Sequence, residues 1–338
     1  MSVGVVAIGR NEGQRLAACL ASAPRDAAAV VYVDSGSTDG SVQLARSLGA
    51  TVVELDLSTP FTAARARNEG ASRLLAIAPA TQFIQFVDGD CELETHWTHM
   101  AVMQLHLQPK TAVVCGRRRE RFPNATIYNQ LCDMEWDTPI GDTKSCGGDA
   151  MIRLSAFQQV GGYDPNVIAG EEPEMCVRLR AAGWVIHRLD AEMTLHDAAM
   201  TGFCQWWKRN LRAGHAYAQG FSMHGQPPEN FRRREVRSIT VWTLGPIIAA
   251  AAAVMAIACL APRWCWVGLG VFGLYPVLAL KVAMRRRRRD GVRKALLYGT
   301  AVAIGKIPQY LGVRKFRSAQ RQGRRNAIIE YKDAAQPL

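Results

Sequence analysis

Two aspartates separated by one glycine, Asp88 and Asp90, close the apolar run "QFIQFVDGD". Like charges this close at the end of a buried strand repel unless positive charge lies between them. Paired oxygen ligands suit Mg2+ or Mn2+, ions that characteristically share a site with substrate phosphates. A D-x-D by itself is unspecific, since any exposed loop can hold one; its position directly after "FIQFV" makes a metal-bound diphosphate the chemistry to expect. A second acidic group stands in "GEEPEMCVRLRAAGW", residues 170–184. Met175, Leu179 and Ala182 share a helical face, Pro173 suits a first helical position and Gly183 a stop. The residue before a proline is pushed out of the α region, which puts Glu172 at the N-cap. Glutamate caps poorly, so Glu172 is expected to serve another purpose. For Glu171 and Glu174, complementing the helix dipole is the other reading.

The elements that must position these acids are legible as alternating periods. "VGVVAIG" (3–9) is a Val-rich strand followed by "RNEGQRLAACLASA", where Leu16, Cys19 and Leu20 recur at helical spacing. The pattern returns in "AAVVYVD" with "GSVQLARSLGA", and in "ATVVELD" with "TAARARNEGASRLLAIA"; "TQFIQFVD" adds a fourth strand. Nearly all-apolar strands alternating with helices predict an α/β fold, a mostly parallel, Rossmann-like sheet covered on both faces. Ligands of such sheets bind at the C-terminal strand edges, where Asn11, Glu12, Asp34, Asp88 and Asp90 gather. There is no GxGxxG after the first strand and no GxxxxGK[ST], which argues against dehydrogenase and P-loop chemistry.

The formal net charge of +12 suggests a nucleic-acid binder until it is divided by position. Residues 1–230 hold 20 Lys/Arg against 25 Asp/Glu, whereas 231–338 hold 21 against 4. The positive excess therefore flanks the C-terminal apolar runs, which favours a membrane and no nucleic acid. Residues 238–261 contain 24 positions without a charge, enough for about 36 Å of helix. After a short "PRWCW" turn, 267–284 carry only Lys281, near the end, where it can snorkel. Basic clusters at both outer ends predict a transmembrane helical hairpin with cytoplasmic ends, buried soluble helices being the alternative. "ALLYGTAVAIGKIPQYLGV" (295–313), with Lys306 and Pro308 inside it, reads as an interfacial or re-entrant segment rather than a third span. The basic tail beyond it favours an anionic surface. The resulting division is 1–230, 231–294 and 295–338. Nine cysteines without a CxxC pair fit a reducing compartment, and "MSVGVVAIGRNE" has no signal-peptide pattern, so residues 1–230 are expected in the cytoplasm.

The ordered set "GRNE", "VDSGSTDGS", "ARARNEG", "DGD" and "GEEPEMCVRLRAAGW" resembles the inverting glycosyltransferases of family 2, which have the GT-A nucleotide-diphospho-sugar fold. The resemblance covers roughly residues 3–220, and the C-terminal hairpin with "GKIPQYLGVRKF" and "IIEYK" is similar to membrane-anchored bacterial members. It implies a nucleotide-sugar donor, most often a UDP-sugar, a lipid-linked or membrane-proximal glycan acceptor, and a bacterial inner membrane with the catalytic domain on the cytoplasmic side. It also implies roles. Asp34 would bind the base and Arg67 the nucleotide, Asp88 would face ribose and metal, and Asp90 would ligate the metal. Glu171 and Glu172 stand where the family has Glu-Asp, which makes Glu172 the general base, one methylene longer than the usual aspartate.

Further candidates come with alternatives. His196 in "TLHDAAM" would complete the metal site, or be a structural histidine. "CGGDAMIR", with Gly148 and Asp149, resembles an acceptor-side Gly-Gly segment, or is an ordinary turn. In "QWWKRNLRAGHAY", Arg209 and Arg212 would approach the diphosphate and Trp206 and Trp207 the membrane interface, or the stretch is a packed helix. Gln205 is followed by Trp-Trp-Lys-Arg and not by the Q-x-x-R-W of processive synthases, so single sugar transfer is expected. Two other classes share parts of this pattern: a catalytically silent membrane scaffold with the same fold, and a metal-dependent nucleotidyltransferase, which would release pyrophosphate from a nucleoside triphosphate.

Overall fold

A computed structural model describes residues 2–324 and divides them into two compact units, the first ending at Thr201 and the second beginning at Gly202. The tail from 325 onward, including "IIEYK" and the end of the expected basic segment, lies outside the described residues.

The first unit opens with three strand–helix pairs and a fourth strand: β1 (Val3–Gly9), α1 (Gln14–Ala21), β2 (Ala29–Asp34), α2 (Ser41–Ser47), β3 (Thr51–Glu54), α3 (Ala63–Ile77) and β4 (Phe83–Asp88). It continues through β5 (Cys91–Leu93), α4 (Trp97–Leu107), β6 (Thr111–Glu120), α5 (Ile127–Trp136), β7 (Gly141–Thr143), β8 (Ala150–Arg153), α6 (Leu154–Gln159), α7 (Glu171–Ala181) and β9 (Val185–His196). The strands form one sheet in the order β3-β2-β1-β4-β8-β6-β9-β5, with β7 also on β9. The pairs β3–β2, β2–β1, β1–β4 and β6–β9 are parallel, whereas β8, β5 and β7 run against their neighbours. The expectation of a mostly parallel sheet therefore holds for the strands read from the sequence. The short strands 91–93, 141–143 and 150–153 carry too few residues for a period to show.

Burial explains why β1, β2 and β4 read as continuous apolar runs: Val5, Val6, Ala7, Val31, Val33, Ile84 and Phe86 are all buried, as expected for parallel strands covered on both faces, whereas the edge strand β3 is only partly covered. Helix α3 lies close on this sheet because of Gly70, where a Cβ would fall 2.4 Å from Val6 Cγ1 and 2.9 Å from Val33 Cγ2. Its start is capped by Thr62, whose hydroxyl accepts the Arg65 N–H, a contact worth ~1 kcal/mol. On the sheet-facing stripe of α3, at helical spacing with Gly70, Ala71 and Leu74, stands a buried arginine, Arg67.

The second unit is helical: α8 (Phe203–His224), α9 (Arg233–Leu260), a 3-10 segment Pro262–Gly273, α10 (Leu274–Asp290) and α11 (Val292–Arg321). Among the described residues, the segments Arg233–Leu260 and Pro262–Asp290 are long and apolar enough to cross a membrane. The second begins as a 3-10 helix where an α-helix was expected. Gly268, Gly270 and Gly273 disfavour the α conformation there, and Gly268 lets the segment approach the α9 backbone at Val254. The stretch 295–313 belongs to one 30-residue helix that runs through Pro308. That helix crosses α8 at very short range, because Gly214 and Gly312 bring its backbone against α8 without side chains between. Trp206 on α8 is buried, and Asn210 Oδ1 accepts a hydrogen bond from Gln309 Nε2.

Candidate active site

The acids and arginines of the first unit meet at the C-terminal ends of β1, β2, β4 and β6 and at the start of α7. Chain order dictates part of this: each βα turn of a parallel sheet delivers its polar residues to the same edge. Asn11, just past β1, adopts φ 56°, a left-handed conformation that asparagine tolerates better than most residues. Its N–H donates to Ser37 Oγ (2.8 Å) and its Oδ1 accepts from Thr38 N–H (2.8 Å), so the loops after β1 and β2 are tied together. Asp34, 2% exposed, accepts hydrogen bonds from Tyr32, from the N–H groups of Gly36 and Ser37, and from the Ser37 hydroxyl. Its carboxylate thus shapes the turn that carries Ser37. Glu12 is buried beside this loop and pairs with Arg15 at 2.8 Å.

Arg67 links the two acidic motifs. One terminal nitrogen donates to Asp88 (2.7 Å) and the other to Glu171 (2.6 Å), with the guanidinium over the Tyr163 ring. The segment ahead of α7 is held to α3 by Asn68, whose side chain makes both hydrogen bonds to the Tyr163 backbone. Burial alone would lower the arginine's pKa; the carboxylates of Asp88, Glu171 and Glu172 overcome it and raise it. Asp88 also receives Arg118 (3.2 Å), and Arg118 pairs with Asp149 (2.7 Å) while lying over Trp136. Asp149 is fully buried. Its other bonds come from the Asp88 N–H (2.9 Å) and the Thr194 hydroxyl (2.7 Å), which couples β4 to β9.

Helix α7 begins at Glu171, with Gly170 as N-cap in the left-handed region (φ 80°). Glu172 is therefore inside the first turn and not the cap expected from Pro173. The proline is accommodated because first-turn N–H groups have no intrahelical acceptor to lose. This places Glu171, Glu172 and Glu174 together at the positive end of the helix. Glu174 is turned to Arg178 (2.7 Å), Glu171 to Arg67, and Glu172 is half-buried. The Glu172 carboxyl is pushed up to about 7, first by burial and next by the neighbouring Glu171 charge, with Arg67 opposing. A group of that pKa is matched to proton transfer near neutral pH.

Gly148 closes the arrangement. A Cβ there would lie 2.8 Å from Asp88 Oδ2, 2.9 Å from Arg67 Nη2 and 3.2 Å from Glu172 Oε1, so these three groups converge on one backbone position. Asp88 and Arg67 are anchored and cannot retreat cheaply. Gly148→Ala is expected to cost about 1–3 kcal/mol of stability by overpacking and to lower turnover by more than tenfold. Chemical denaturation alongside a transfer assay measures both; wild-type turnover in a stable variant would contradict the close fit.

Asp90 occupies a separate corner with His196. Its Oδ2 lies 3.2 Å from His196 Nε2, its backbone carbonyl accepts the Asp197 N–H, and both side chains are buried. Asp90, Cys91 and His196 offer ligand atoms within 4.8 Å of one another, as do Asp88, Cys91 and Asp149. Burial raises the Cys91 thiol's pKa and keeps it protonated, which leaves the carboxylate and the imidazole as the usable donors. The His196 imidazole is held below its ordinary pKa, chiefly by burial, and is neutral at pH 7. The carboxylate oxygens suit Mg2+ or Mn2+, the imidazole nitrogen is taken more readily by Mn2+ than by the harder Mg2+, and the carboxylates here outnumber the arginines; the residues fit a divalent cation.

Of the residues expected from the sequence, Asn11, Glu12, Asp34, Arg67, Asp88, Asp90, Gly148, Asp149, Glu172 and His196 lie in the first unit; Arg209 and Arg212 lie on α8 of the second, and sequence reasoning missed others. It missed Arg118, Glu120, Thr194 and Trp136. The signal for two of them was present: "RRRE" ends the apolar strand "TAVVCG" much as "DGD" ends "FIQFV".

Residues 4–158 match the model of Glycosyl transferase family 2. The chain is 22% identical over 247 residues to the glycosyltransferase AglE of Haloferax volcanii, covering 69% of this chain and 77% of that protein. It is 24% identical over 275 residues to the succinoglycan biosynthesis protein ExoA of Rhizobium meliloti, covering 76% and 82%. A mannosyltransferase of Pyrobaculum calidifontis, solved with GDP-Man and Mn2+, superposes with a TM-score of 0.57 at 20% identity over 89% of this chain and 86% of its own. The first unit has the GT-A fold, and the part of it that spans residues 4–158 is similar to the glycosyltransferases of family 2. It is a transferase enzyme.

Proposed function

We propose that the protein transfers a single sugar, with inversion, from a nucleoside-diphosphate sugar to a lipid-linked or membrane-proximal glycan acceptor. The observation that carries this is Glu172: a carboxyl of pKa about 7 beside Gly148 and the Asp88–Arg67 pair, with the Asp90–His196 corner nearby. Glu172, ionised, accepts the acceptor hydroxyl's proton as that oxygen attacks C1 of the sugar, and the nucleoside diphosphate leaves from the opposite face. A divalent cation, Mg2+ or Mn2+, held by Asp90 and His196 with Asp88 beside them, would supply positive charge to the departing diphosphate. Arg67 pairs with Asp88 and with Glu171, so that of the three carboxyls Glu172 is left to take the proton. Asn11 and Asp34 set the loops that receive the nucleotide, with Glu12, Gly148 and Asp149 at the same sheet edge.

The membrane part of the proposal rests on the two long apolar helices and their exposed side chains, among them Ile248, Met255, Leu260, Trp266 and Val277. Arg285–Arg289 form the basic end of the second of them, which by the positive-inside rule favours a bacterial inner membrane with both helix ends and the catalytic unit in the cytoplasm.

The deciding experiment is binding and slow hydrolysis of UDP-, GDP- and dTDP-sugars by the detergent-solubilised full chain, with Mn2+, Mg2+ or EDTA. One donor is expected to release its nucleoside diphosphate only when metal is present. Release of pyrophosphate from a nucleoside triphosphate would mean a nucleotidyltransferase, and binding without turnover across acceptors a silent scaffold.

A further inference from the structure

We infer that Cys146 and Cys176 are a site of reversible oxidation: a peroxide joins them in a disulfide that clamps the Gly148 segment to the start of α7 and slows sugar transfer. The effect on transfer rests on the reading of Glu172 proposed above, whereas the bond itself does not. Cys146 Sγ lies 3.6 Å from Cys176 Sγ, between residues 30 positions apart in the chain. A disulfide needs about 2.05 Å between its sulfurs, a difference that small χ1 rotations and a slight yielding of the loop cover. Cys115 also neighbours Cys176, but its thiol is turned to the His187 carbonyl at 3.8 Å.

The two cysteines continue a contact that already belongs to the site. Cys176 is fully buried on α7, one helical turn beyond Glu172 and on the same face. Cys146 is half-buried in the connection 144–149 between β7 and β8, which has no regular structure. The next residue, Gly147, is exposed, with open space where a Cβ would stand, so an oxidant reaches Cys146 first. Two residues further along the connection and one turn back along the helix, Gly148 meets Glu172. Arg180 of α7 donates to the Lys144 carbonyl and holds the near end of the same connection. The fit at Gly148 leaves less than a methyl group's room, since a Cβ there would lie 3.2 Å from Glu172 Oε1. An acceptor oxygen entering on that side needs the connection to move back. A bond at Cys146 removes that freedom.

The chemistry balances with a peroxide as oxidant. The Cys146 thiol takes one oxygen and becomes a sulfenic acid, releasing water or an alcohol; the Cys176 sulfur then attacks it, and a water leaves with the Cys176 proton. Two thiols lose two electrons and the peroxide gains them. In the reducing compartment expected for this chain the pair rests as thiols, and a dithiol reductant restores them by exchange.

The full chain in detergent is treated with hydrogen peroxide, alkylated and digested without reduction. A peptide linked through Cys146 and Cys176 is expected, with slower hydrogen exchange over 144–149. The rate of sugar transfer is expected to fall by at least about tenfold, as misplacement at a reacting centre does, and to return with dithiothreitol. Cys146→Ser and Cys176→Ala are expected to work at the wild-type rate in reductant and to resist peroxide. Should Cys176→Ala fail to fold, Cys146→Ser, at the half-buried position, decides. The inference is overturned by wild type whose Cys146 and Cys176 stay free, or whose Cys176 pairs with Cys115. It is overturned as well by a linked chain that transfers as fast as the reduced one, or by Cys146→Ser losing activity to peroxide as wild type does. A reduced wild type that transfers no sugar removes the reading of Glu172, while the linked peptide and the hydrogen exchange still judge the clamp.

Discussion

Glu172→Gln is expected to lower the rate of sugar transfer by about 10²–10⁴-fold, the range for losing a general base, while donor binding and fold are retained. The amide keeps size and shape beside Gly148, and the α7 start is held by Arg67–Glu171 and Asn68, none of which touches the exchanged atom. In wild type the pH dependence of kcat/KM should rise through about 7 and level off above it, since the carboxyl must be ionised to accept the proton and its pKa is pushed up to about 7. Glu171→Gln should move that rise to lower pH. It removes the like charge that raises Glu172, the second cause after burial, and leaves Arg67 with less competing negative charge. Both changes favour the ionised form. Steady-state kinetics from pH 5.5 to 9 on the three proteins check this. Wild-type turnover in Glu172→Gln would remove the base from Glu172, and an unmoved profile in Glu171→Gln would dismiss the coupling.

Asp90→Asn should abolish metal-dependent donor cleavage, a loss of at least about 10²-fold given the several kcal/mol a cation contributes to leaving-group charge. At this corner Asp90 is the carboxylate next to His196 Nε2, since Asp88 is engaged by Arg67 and Arg118 and Asp149 by Arg118, Thr194 and the Asp88 backbone. Thermal unfolding of the variant should stay near that of wild type, because its backbone bond to Asp197 is unaffected. Mn2+ binding measured beside nucleoside-diphosphate release distinguishes a lost ligand from a lost fold. EDTA-sensitive activity at the wild-type level in Asp90→Asn would place the metal elsewhere.

Much of the first unit was legible because hydrophobic period is a local property. Strands buried on both faces show it as unbroken runs, and the βα order forces their polar ends to one edge, so the sequence alone groups Asn11, Asp34, Asp88 and Asp90. Chemistry at strand ends was likewise readable from residue type. The start of α7 falls two residues before Pro173, the first helical position its sequence suggests, because Gly170 in the left-handed region begins the helix early. The expected boundary at 230 follows the change in composition, whereas the compact first unit ends at Thr201. Helix α8 has the mixed composition of a soluble helix, and only its close packing with α11 through Gly214 and Gly312 reveals its company.

By itself the sequence determined the α/β order, the acidic strand ends, the Glu-Glu start of a helix and two apolar segments of membrane length. The tertiary structure alone decided which acid faces which base. Arg67 bridges residues from β4 and α7, Arg118 joins Asp88 to Asp149, and Glu120 meets His196 through the pairing of β6 with β9. Strand pairing across long stretches of chain leaves no periodic mark in either partner, and a charge's pKa is set by neighbours distant in sequence. The environment that raises Glu172 therefore exists only once the chain has folded.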